Sequence, residues 1–544
     1  MEKTSISPDG EQFFLPKEED YSREYDRLKK LVDEQRSMGR EIVVVMGVGF
    51  VGAVMAAIVA DSVDKNGQPS KFVIGVQRPS VRSYWKIPLI NRGECPVKAE
   101  DPEVAPLIRH CVLEKKTLVA SFLYEALSFA DVVVIDVQCD YVKVDLGNVR
   151  TGFTEMSALE QAFEIIAGQI NPNALVLIET TVPPGMTENV AYPIMQKIFR
   201  RRGIHSDPLL AHSYERVMPG REYVASIRDF WRVCSGINEE AKQRVIKFLN
   251  EVLNTKEYPL TVLDKPIESE TAKIVENSYR ATILAFMDEW SLFAERNGVD
   301  LIKVLQAIRV RPTHNNILFP GPGIGGYCLP KDGGLGIWAY KHILGFEDDI
   351  FKITPMVIDI NDTRALHAAQ LVRDALRSMN RPIAAAEILV LGASYREDVG
   401  DTRYSGSEIL VRKLTEMGAE IRVHDPYVDH WWEFEKQDSY PAEGHTRTLA
   451  RFFRNQEKLN ELTISKELSK ALNGADAVVF AVRHETYLDL NPEDIIKWVG
   501  QPAAIIDCFG ILDDPKIEHY LQLGCEVKAL GRGHIQRIKK RINK

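Results

Sequence analysis

The stretch Ile42-Val43-Val44-Val45-Met46-Gly47-Val48-Gly49-Phe50-Val51-Gly52-Ala53 reads as an apolar strand, a glycine turn and the start of a helix that runs through Ala60. An uninterrupted apolar run before a turn predicts a strand buried on both faces, as in a parallel sheet. Gly47, Gly49 and Gly52 fall between strand and helix at the spacing Gly-x-Gly-x-x-Gly. The first makes the turn, the second admits a pyrophosphate, and the third lets helix and strand pack, while the helix N-terminus turns amide donors toward the anion. Val48, Phe50 and Val51 complete this dinucleotide-binding stretch. Phe72-Val73-Ile74-Gly75-Val76 supplies the next strand and closes a βαβ unit. Glycines at this spacing alone are compatible with a merely tight turn; the strand before and the helix after favour the dinucleotide.

Outward from this unit, further buried strands are predicted at Val132-Val133-Val134-Ile135 and Ala174-Leu175-Val176-Leu177-Ile178, each with helical sequence ahead of it. Such alternation predicts a doubly wound parallel sheet. Residues 1–40 form a polar arm with a helix-compatible piece from Tyr21 to Gln35. From Glu268 to Asn297 apolar residues recur at helical spacing without proline or glycine, up to Gly298. A helix of about 28 residues is roughly 42 Å long, enough to link two domains and offer a face for dimerisation. Strands resume at Ile388-Leu389-Val390-Leu391, Ile421-Arg422-Val423-His424, Ala477-Val478-Val479-Phe480 and Ala504-Ile505-Ile506-Asp507. The fold class is therefore α/β, with two doubly wound Rossmann-like domains joined by a long central helix. The expected plan is an arm (1–40), a dinucleotide domain (41–257), a helical linker with a cysteine loop (258–380) and a closing α/β domain (381–544), with an insertion at about 430–460.

Composition narrows the function classes. The net charge of −9 over 544 residues argues against nucleic acid as the main partner. Gly531–Lys544 is basic and without acid, which reads as a solvated tail. No apolar signal region opens the chain and no run of 18 apolar residues occurs, so neither export nor a membrane span is expected and the cytoplasm is. Seven cysteines without a C-x-x-C pair, and few scattered histidines, point to reduced thiols and no metal site.

One cysteine stands apart. Phe319-Pro320-Gly321-Pro322-Gly323-Ile324-Gly325-Gly326-Tyr327-Cys328-Leu329-Pro330-Lys331-Asp332 packs four glycines and three prolines around it. Such a loop is neither helix nor strand, and it brings backbone amides close to a ligand and presents a thiol able to form a covalent intermediate. The alternative is a small buried apolar cysteine. Lys273 and Asn277 share one face of the long helix, with Glu270 a turn earlier. Such a face is either a salt-bridged surface or a device that polarises a substrate oxygen. Glu179-Thr180-Thr181-Val182-Pro183-Pro184-Gly185 and Ser213-Tyr214-Glu215-Arg216-Val217-Met218-Pro219-Gly220 place Thr181 and Glu215 in strand-end turns, where a parallel sheet presents ligands. The second strand of the βαβ unit ends at Gln77, followed by Arg78, where a carboxylate would hold the ribose hydroxyls of NAD; NADP stays open beside NAD.

With these motifs in order, the chain resembles the nucleotide-sugar 6-dehydrogenase family, the UDP-glucose and UDP-N-acetylhexosamine dehydrogenases, collinearly over about 41–535. The resemblance rests on the glycine fingerprint, the Thr-Thr-Val-Pro-Pro-Gly turn, the Ser-x-Glu-Arg-Val-x-Pro-Gly turn, the Lys273/Asn277 helix, the Gly-Gly-x-Cys-x-Pro-Lys-Asp loop and Asp401-Thr402-Arg403. It implies an NAD-dependent four-electron oxidation of a UDP-sugar C6 alcohol to a uronic acid in polysaccharide biosynthesis, by a homodimer or larger homo-oligomer. It further implies that Cys328 captures the aldehyde as a thiohemiacetal whose oxidation gives a thioester, that Lys273 and Asn277 stabilise oxyanion character, that Asp332 with Thr181 positions water, and that Glu215 assists acid-base steps. Gly325, Gly326, Tyr327, Arg396 and Arg403 are implied in substrate binding.

The departures from the family are specific. Gln77 replaces the family acid, Val137-Gln138-Cys139-Asp140 replaces its Val-x-Thr-Pro turn, Arg396 replaces a lysine, and Cys508-Phe509-Gly510 stands where an arginine is usual. Glu215-Arg216-Val217 and Pro320-Gly321-Pro322-Gly323 resemble the N-acetylhexosamine branch, while Pro330-Lys331-Asp332 resembles the glucose branch; a UDP-N-acetylhexosamine is favoured. A two-electron β-hydroxyacid dehydrogenase and a non-catalytic nucleotide-sugar-binding regulator remain the alternatives.

Overall fold

The structure, a computed structural model, describes residues 3–434 and 449–542. The middle of the expected 430–460 insertion, 435–448, lies outside the described residues. The chain forms two compact units: Met1–Tyr141 with Thr154–Val275 and Leu335–Asp348, and Val142–Phe153 with Glu276–Gly334 and Asp349–Lys544.

The first unit is built on an eight-stranded sheet. Its strands are β1 (Glu41–Met46), β2 (Lys71–Val76), β3 (Leu118–Ser121), β4 (Val132–Ile135), β5 (Leu175–Ile178), β6 (Leu209–His212), β7 (Val233–Gly236) and β8 (Thr261–Val262), in the order β8-β7-β6-β5-β4-β1-β2-β3. All pairs are parallel except β6 with β7. β1 is central, and Ile42, Val43, Val44 and Val45 are fully buried, which is why they read as a continuous apolar run. Each such side chain contributes about 1.5–3 kcal/mol on burial. The strand order reverses between β1 and β4, so the crevice for a ligand opens at their carboxyl ends, where the glycine turn lies.

The polar arm is folded into this unit. Thr4–Ile6 pairs antiparallel with Gln12–Phe14, and the helix Glu18–Ser37 follows. Ser5 is fully buried and its hydroxyl accepts from the Trp85 amide at 3.2 Å, while Glu24 accepts from the Ser121 hydroxyl at 2.6 Å. These contacts tie the arm to the segment that follows β2 and to the end of β3.

The second unit has a six-stranded, wholly parallel sheet of β9 (Glu387–Leu391), β10 (Glu420–His424), β11 (Ile464–Ser465), β12 (Ala477–Phe480), β13 (Ala504–Asp507) and β14 (Glu526–Ala529), in the order β11-β10-β9-β12-β13-β14. Alternate residues of β9 serve opposite faces: Ile388 and Val390 pack with Ala368, Val372 and Leu410, whereas Leu389 and Leu391 pack with Ile495, Val499 and Ile517. Its order reverses between β9 and β12. The predicted long helix is Pro266–Asn297, 32 residues or about 48 Å, and the boundary between the units falls within it, after Val275. Among the described residues no helix is long and apolar enough to cross a membrane.

Candidate active site

In the first unit the glycine turn is shaped as its spacing requires. Gly47 has φ +102°, and a Cβ there would stand 2.7 Å from the Asp136 carbonyl oxygen; a Cβ on Gly52 would stand 1.9 Å from the Gly47 carbonyl oxygen. Neither position tolerates a side chain. Gly49 caps the helix Phe50–Asp61, and a Cβ there would meet nothing within 4 Å, so the side of the turn that a pyrophosphate would approach is open. Val48 is buried against Gly75, the Phe50 ring stacks on Tyr223 at 4.7 Å, and Val51 is half-buried in the first helical turn. Gln77 turns its Oε1 onto the Val48 amide at 3.2 Å, whereas Arg78 is exposed. The residues present fit a dinucleotide.

The turns after β4, β5 and β6 carry a group of charges. Lys273 is buried, donates to the Glu215 carbonyl at 2.8 Å and lies 3.7 Å from the Glu215 carboxylate. Thr181 is buried in the turn after β5. Glu179 and Arg232, both buried, form an ion pair. Asp136, at the end of β4, is held well above the usual carboxylate range by burial and then by the negative charges of Glu179 and Glu215; its Oδ2 is buried without a hydrogen-bond partner. Glu270 is buried rather than part of a salt-bridged helix surface. Its carboxylate accepts from the Gly185 amide at 2.6 Å and from the amide and hydroxyl of Thr187 at 2.9 and 2.6 Å, which locks the Thr-Thr-Val-Pro-Pro-Gly turn to the long helix. Burial pushes its carboxyl up to about 7.

In the second unit the cysteine loop is held from both ends. The Gly326 amide donates to the Arg403 carbonyl at 2.9 Å, and the amides of Lys331 and Asp332 donate to the Cys328 carbonyl at 3.1 and 3.0 Å. Cys328 is half-buried. Asp332 is fully buried: one oxygen accepts from Asn277 Nδ2 at 2.7 Å, and Lys331 Nζ, itself buried, stands 3.1 Å from the other. Lys331 and Arg403 approach the Tyr327 ring at 4.4 and 5.3 Å. A Cβ on Gly325 would stand 2.6 Å from Tyr395 Cβ, and one on Gly326 2.9 Å from the Tyr395 ring, so the paired glycines let the loop lie directly on Tyr395.

Around the switch point of the second sheet, Arg403 pairs with Asp401 through Nε at 2.9 Å and Nη2 at 2.5 Å. Arg396 is 3.7 Å from Glu397 and half-exposed. Phe509, which stands where an arginine is usual in the resembled family, would be the nearest neighbour of a Cβ on Gly321, at 3.0 Å. His484 Nδ1 accepts from the Asp398 amide at 2.9 Å, and its Nε2 lies 3.1 Å from Asp425 Oδ2, which in turn accepts from the Ala393 amide at 2.7 Å. This buried pair fixes the loop that carries Arg396.

The structure thus brings together Lys273 with Glu215 in one unit, and Cys328, Asp332, Asn277, Tyr327 and Arg403 in the other. Sequence reasoning missed Asp136, Arg232, Asp425 and His484. A usable signal existed for most of them, since all but Arg232 fall at or soon after the carboxyl ends of strands.

Three domain descriptions of one family match the chain in order: the UDP-glucose/GDP-mannose dehydrogenase family NAD binding domain over 41–254, its central domain over 267–363 and its UDP binding domain over 389–514. A UDP-N-acetyl-D-mannosamine dehydrogenase of Pyrococcus horikoshii is 28% identical over 495 residues, covering 91% of this chain and 100% of its own. The UDP-glucose 6-dehydrogenase of Pongo abelii is 24% identical over 479 residues, 86% of this chain and 91% of its own. Among solved structures, an NDP-N-acetyl-D-galactosaminuronic acid dehydrogenase from Methanosarcina mazei superposes with a TM-score of 0.71 at 26% identity, over 94% of this chain and 98% of its own.

Proposed function

The chain belongs to the UDP-glucose/GDP-mannose dehydrogenase family of NAD-dependent nucleotide-sugar dehydrogenases, and from that premise we propose that it oxidises the C6 alcohol of a UDP-sugar to a carboxylate through a covalent intermediate on Cys328. Bound NAD supplies the hydride acceptor, and two are reduced per sugar. Lys273 and Asn277 stabilise negative charge on the C6 oxygen as each hydride departs, a role suited to a buried ammonium and an amide one helical turn apart. Glu215, beside Lys273, takes the alcohol proton. The Cys328 thiolate adds to the aldehyde carbon to give a thiohemiacetal, loss of the second hydride leaves a thioester, and water held by Asp332 and Thr181 releases the carboxylate and frees the thiol. One water is consumed, two hydrides leave and three protons are released.

The observation that carries this reading is Asp332, desolvated and bound through both oxygens four residues after Cys328, within a loop whose glycines lie on Tyr395. Such anchoring gives a nucleophile a fixed position. In this reading 258–380 carries the nucleophile, and 381–544 binds UDP, with Gly325, Gly326, Tyr327, Arg396 and Arg403 on the substrate and the two arginines matching its phosphates.

For the sugar, a UDP-N-acetylhexosamine is favoured over UDP-glucose. Its support is the proline-glycine loop before Cys328 together with the N-acetylmannosamine substrate named for the Pyrococcus relative. For assembly, Tyr279, Phe286, Trp290 and Phe293 are 57%, 54%, 44% and 52% exposed along one face of the long helix. A contiguous aromatic row of that kind is what a second copy of the chain would cover. None of the seven cysteines is joined in a disulfide, which suits a reducing cytoplasm.

The test is cofactor reduction by purified protein against a panel of UDP-hexoses, with the sugar product quantified. Two cofactors reduced per carboxylate formed is the expected result. One per sugar would remove the thioester step, and none with any UDP-hexose would leave nucleotide-sugar binding as the function.

A further inference from the structure

The insertion that begins near residue 430 is anchored in the core of the second unit from its first turn. Trp431 is fully buried and meets the Phe434 ring edge-on at 4.6 Å, and the Arg412 guanidinium lies over the Phe434 ring at 4.3 Å. Ahead of them the Asp425 carboxylate accepts from the amides of Tyr427 and Val428 at 2.8 and 3.0 Å, so the chain leaving β10 has a fixed exit. Between the two aromatic anchors stands Glu433. It is half-buried as a whole, with its carboxylate turned inward. Its Oε2 accepts from the hydroxyl of buried Thr402 at 2.7 Å, and its carbonyl accepts from Arg412 Nη2 at 2.9 Å.

Thr402 is the middle of the Asp401-Thr402-Arg403 turn. The Asp401 carbonyl accepts from the Tyr395 amide at 2.9 Å, and the Arg403 carbonyl accepts from the Gly326 amide of the cysteine loop at 2.9 Å. The next residue, Tyr404, has φ +53°, a left-handed conformation that bulky side chains rarely adopt. A turn of this kind is kept in place by contacts from outside it, and Glu433 supplies the contact to its middle side chain. The charges facing Glu433 are Glu408 and Arg412, paired at 2.7 Å on the helix Gly406–Glu416, and Asp401 with Arg403 in the turn. Burial, then the negative charge of Glu408, pushes the Glu433 carboxyl up to about 8.

We propose that Glu433 is a positioning residue of the nucleotide site: by holding Thr402 it keeps the Asp401–Arg403 turn in the shape that sets Arg403 against the UDP diphosphate. The insertion thereby takes part in substrate recognition without touching the substrate. The proposal rests on the assignment of Arg403 to the substrate and not on the oxidation chemistry. Below about pH 8 the Glu433 carboxyl is uncharged and adds no repulsion toward a diphosphate. Above that pH its ionisation sets a second carboxylate charge beside Asp401 and facing Glu408, which opposes both the turn and the incoming anion. Affinity for UDP is therefore full below about pH 8 and falls as pH rises through it.

The test is titration calorimetry of the full-length protein with UDP from pH 7 to pH 9, with NAD as the control ligand. For the wild-type protein the Kd for UDP should rise about fivefold or more across this range. Glu433→Gln keeps an acceptor for Thr402 but cannot ionise, so it should match the wild type within about twofold at pH 7 and stay flat to pH 9. Glu433→Leu loses the acceptor and should raise the Kd for UDP about tenfold at pH 7, with the Kd for NAD within about twofold as the sign of a folded protein. A leucine variant that binds UDP as the wild type does would overturn the proposal. So would a wild-type Kd that is flat with pH, or a pH dependence that persists in Glu433→Gln; these two arms decide even where the leucine variant does not fold. Because nothing is oxidised in the titration, a protein that shows the expected pattern yet turns over no UDP-hexose would refute the proposed reaction and leave this inference standing.

Discussion

Asn277 donates its side-chain amide to one oxygen of Asp332 at 2.7 Å, while Lys331 Nζ stands 3.1 Å from the other, so a fully buried carboxylate is satisfied from both sides. Asn277 comes from the long helix and Asp332 from the end of the cysteine loop. The loop is therefore pinned to the helix by a charged hydrogen bond rather than by apolar packing alone.

Asp332→Ala removes the carboxylate that pairs with the buried ammonium of Lys331. Breaking a buried pair from one side costs about 3–5 kcal/mol, whereas Asn277→Ala, which removes one bond to a charged group, costs about 1.5–3 kcal/mol. Urea unfolding of the two variants should separate these losses, and equal small losses would mean that the loop is not anchored here.

Cys328→Ser should lower carboxylate formation by roughly a thousandfold or more while cofactor binding stays intact, since the serine alcohol is a weak nucleophile in its place. Retained carboxylate formation would exclude the covalent route. Alkylation offers a second readout. Burial pushes the thiols of Cys111 and Cys234 up to about 12 and about 11 and raises that of Cys508 further, so iodoacetamide at mildly alkaline pH should modify half-buried Cys328 ahead of all three in peptide mass spectra.

His212 gives a pH signature. It is fully buried on β6, with Nδ1 2.7 Å from the Ser269 hydroxyl, and burial, then the charge of Lys273, lowers its imidazole from 6.5 to about 3. The unfolded chain accepts a proton below pH 6.5 that the native state refuses. This contribution to stability is therefore complete above pH 6.5 and is lost on acidification toward pH 3, by about 1.4 kcal/mol per pH unit. Glu270 works the other way, because a carboxyl raised from 4.5 to about 7 favours the native state as pH falls through that window. The stability difference between wild type and His212→Gln, followed by urea midpoints from pH 7 to pH 5, isolates the histidine; a flat difference would show that it is not buried neutral.

Gly52→Ala places a methyl group 1.9 Å from the Gly47 carbonyl oxygen, so the turn must open. Cofactor affinity should fall at least tenfold by calorimetry. Unchanged affinity would mean that the pyrophosphate does not use this turn.

Phe286→Glu with Trp290→Glu puts charges into the aromatic row of the long helix, where the two rings lie 6.4 Å apart. If the row is covered by a second copy, the variant should sediment as a smaller species than the wild type. Identical sedimentation would point to another interface.

Much of this protein could be read from its residues because the signals are local. An apolar run ending in Gly47-Val48-Gly49 has few conformations open to it, and the 32-residue helix announces itself by spacing and by the absence of proline and glycine from 267 to 297. The cysteine loop was legible for the same reason, since glycines and prolines at that density exclude regular structure. The folding of the arm against β3 was not legible, because Ser5 and Glu24 find partners at Trp85 and Ser121, far along the chain.

What the sequence by itself determined is the order of elements and the residue types offered at strand ends, both set by short-range sterics and the period of apolar residues. Tertiary structure alone decided which charges lose their water. Glu270 looks like half of a surface ion pair in the chain, yet is buried against Gly185 and Thr187; Asp136 is marked in the chain only by its place just past a strand, yet burial and then the charges of Glu179 and Glu215 hold its carboxyl well above the usual range, against the opposing charge of Arg232. Desolvation depends on what covers a group from all sides, and those neighbours come from strands that are adjacent only once the sheet has formed.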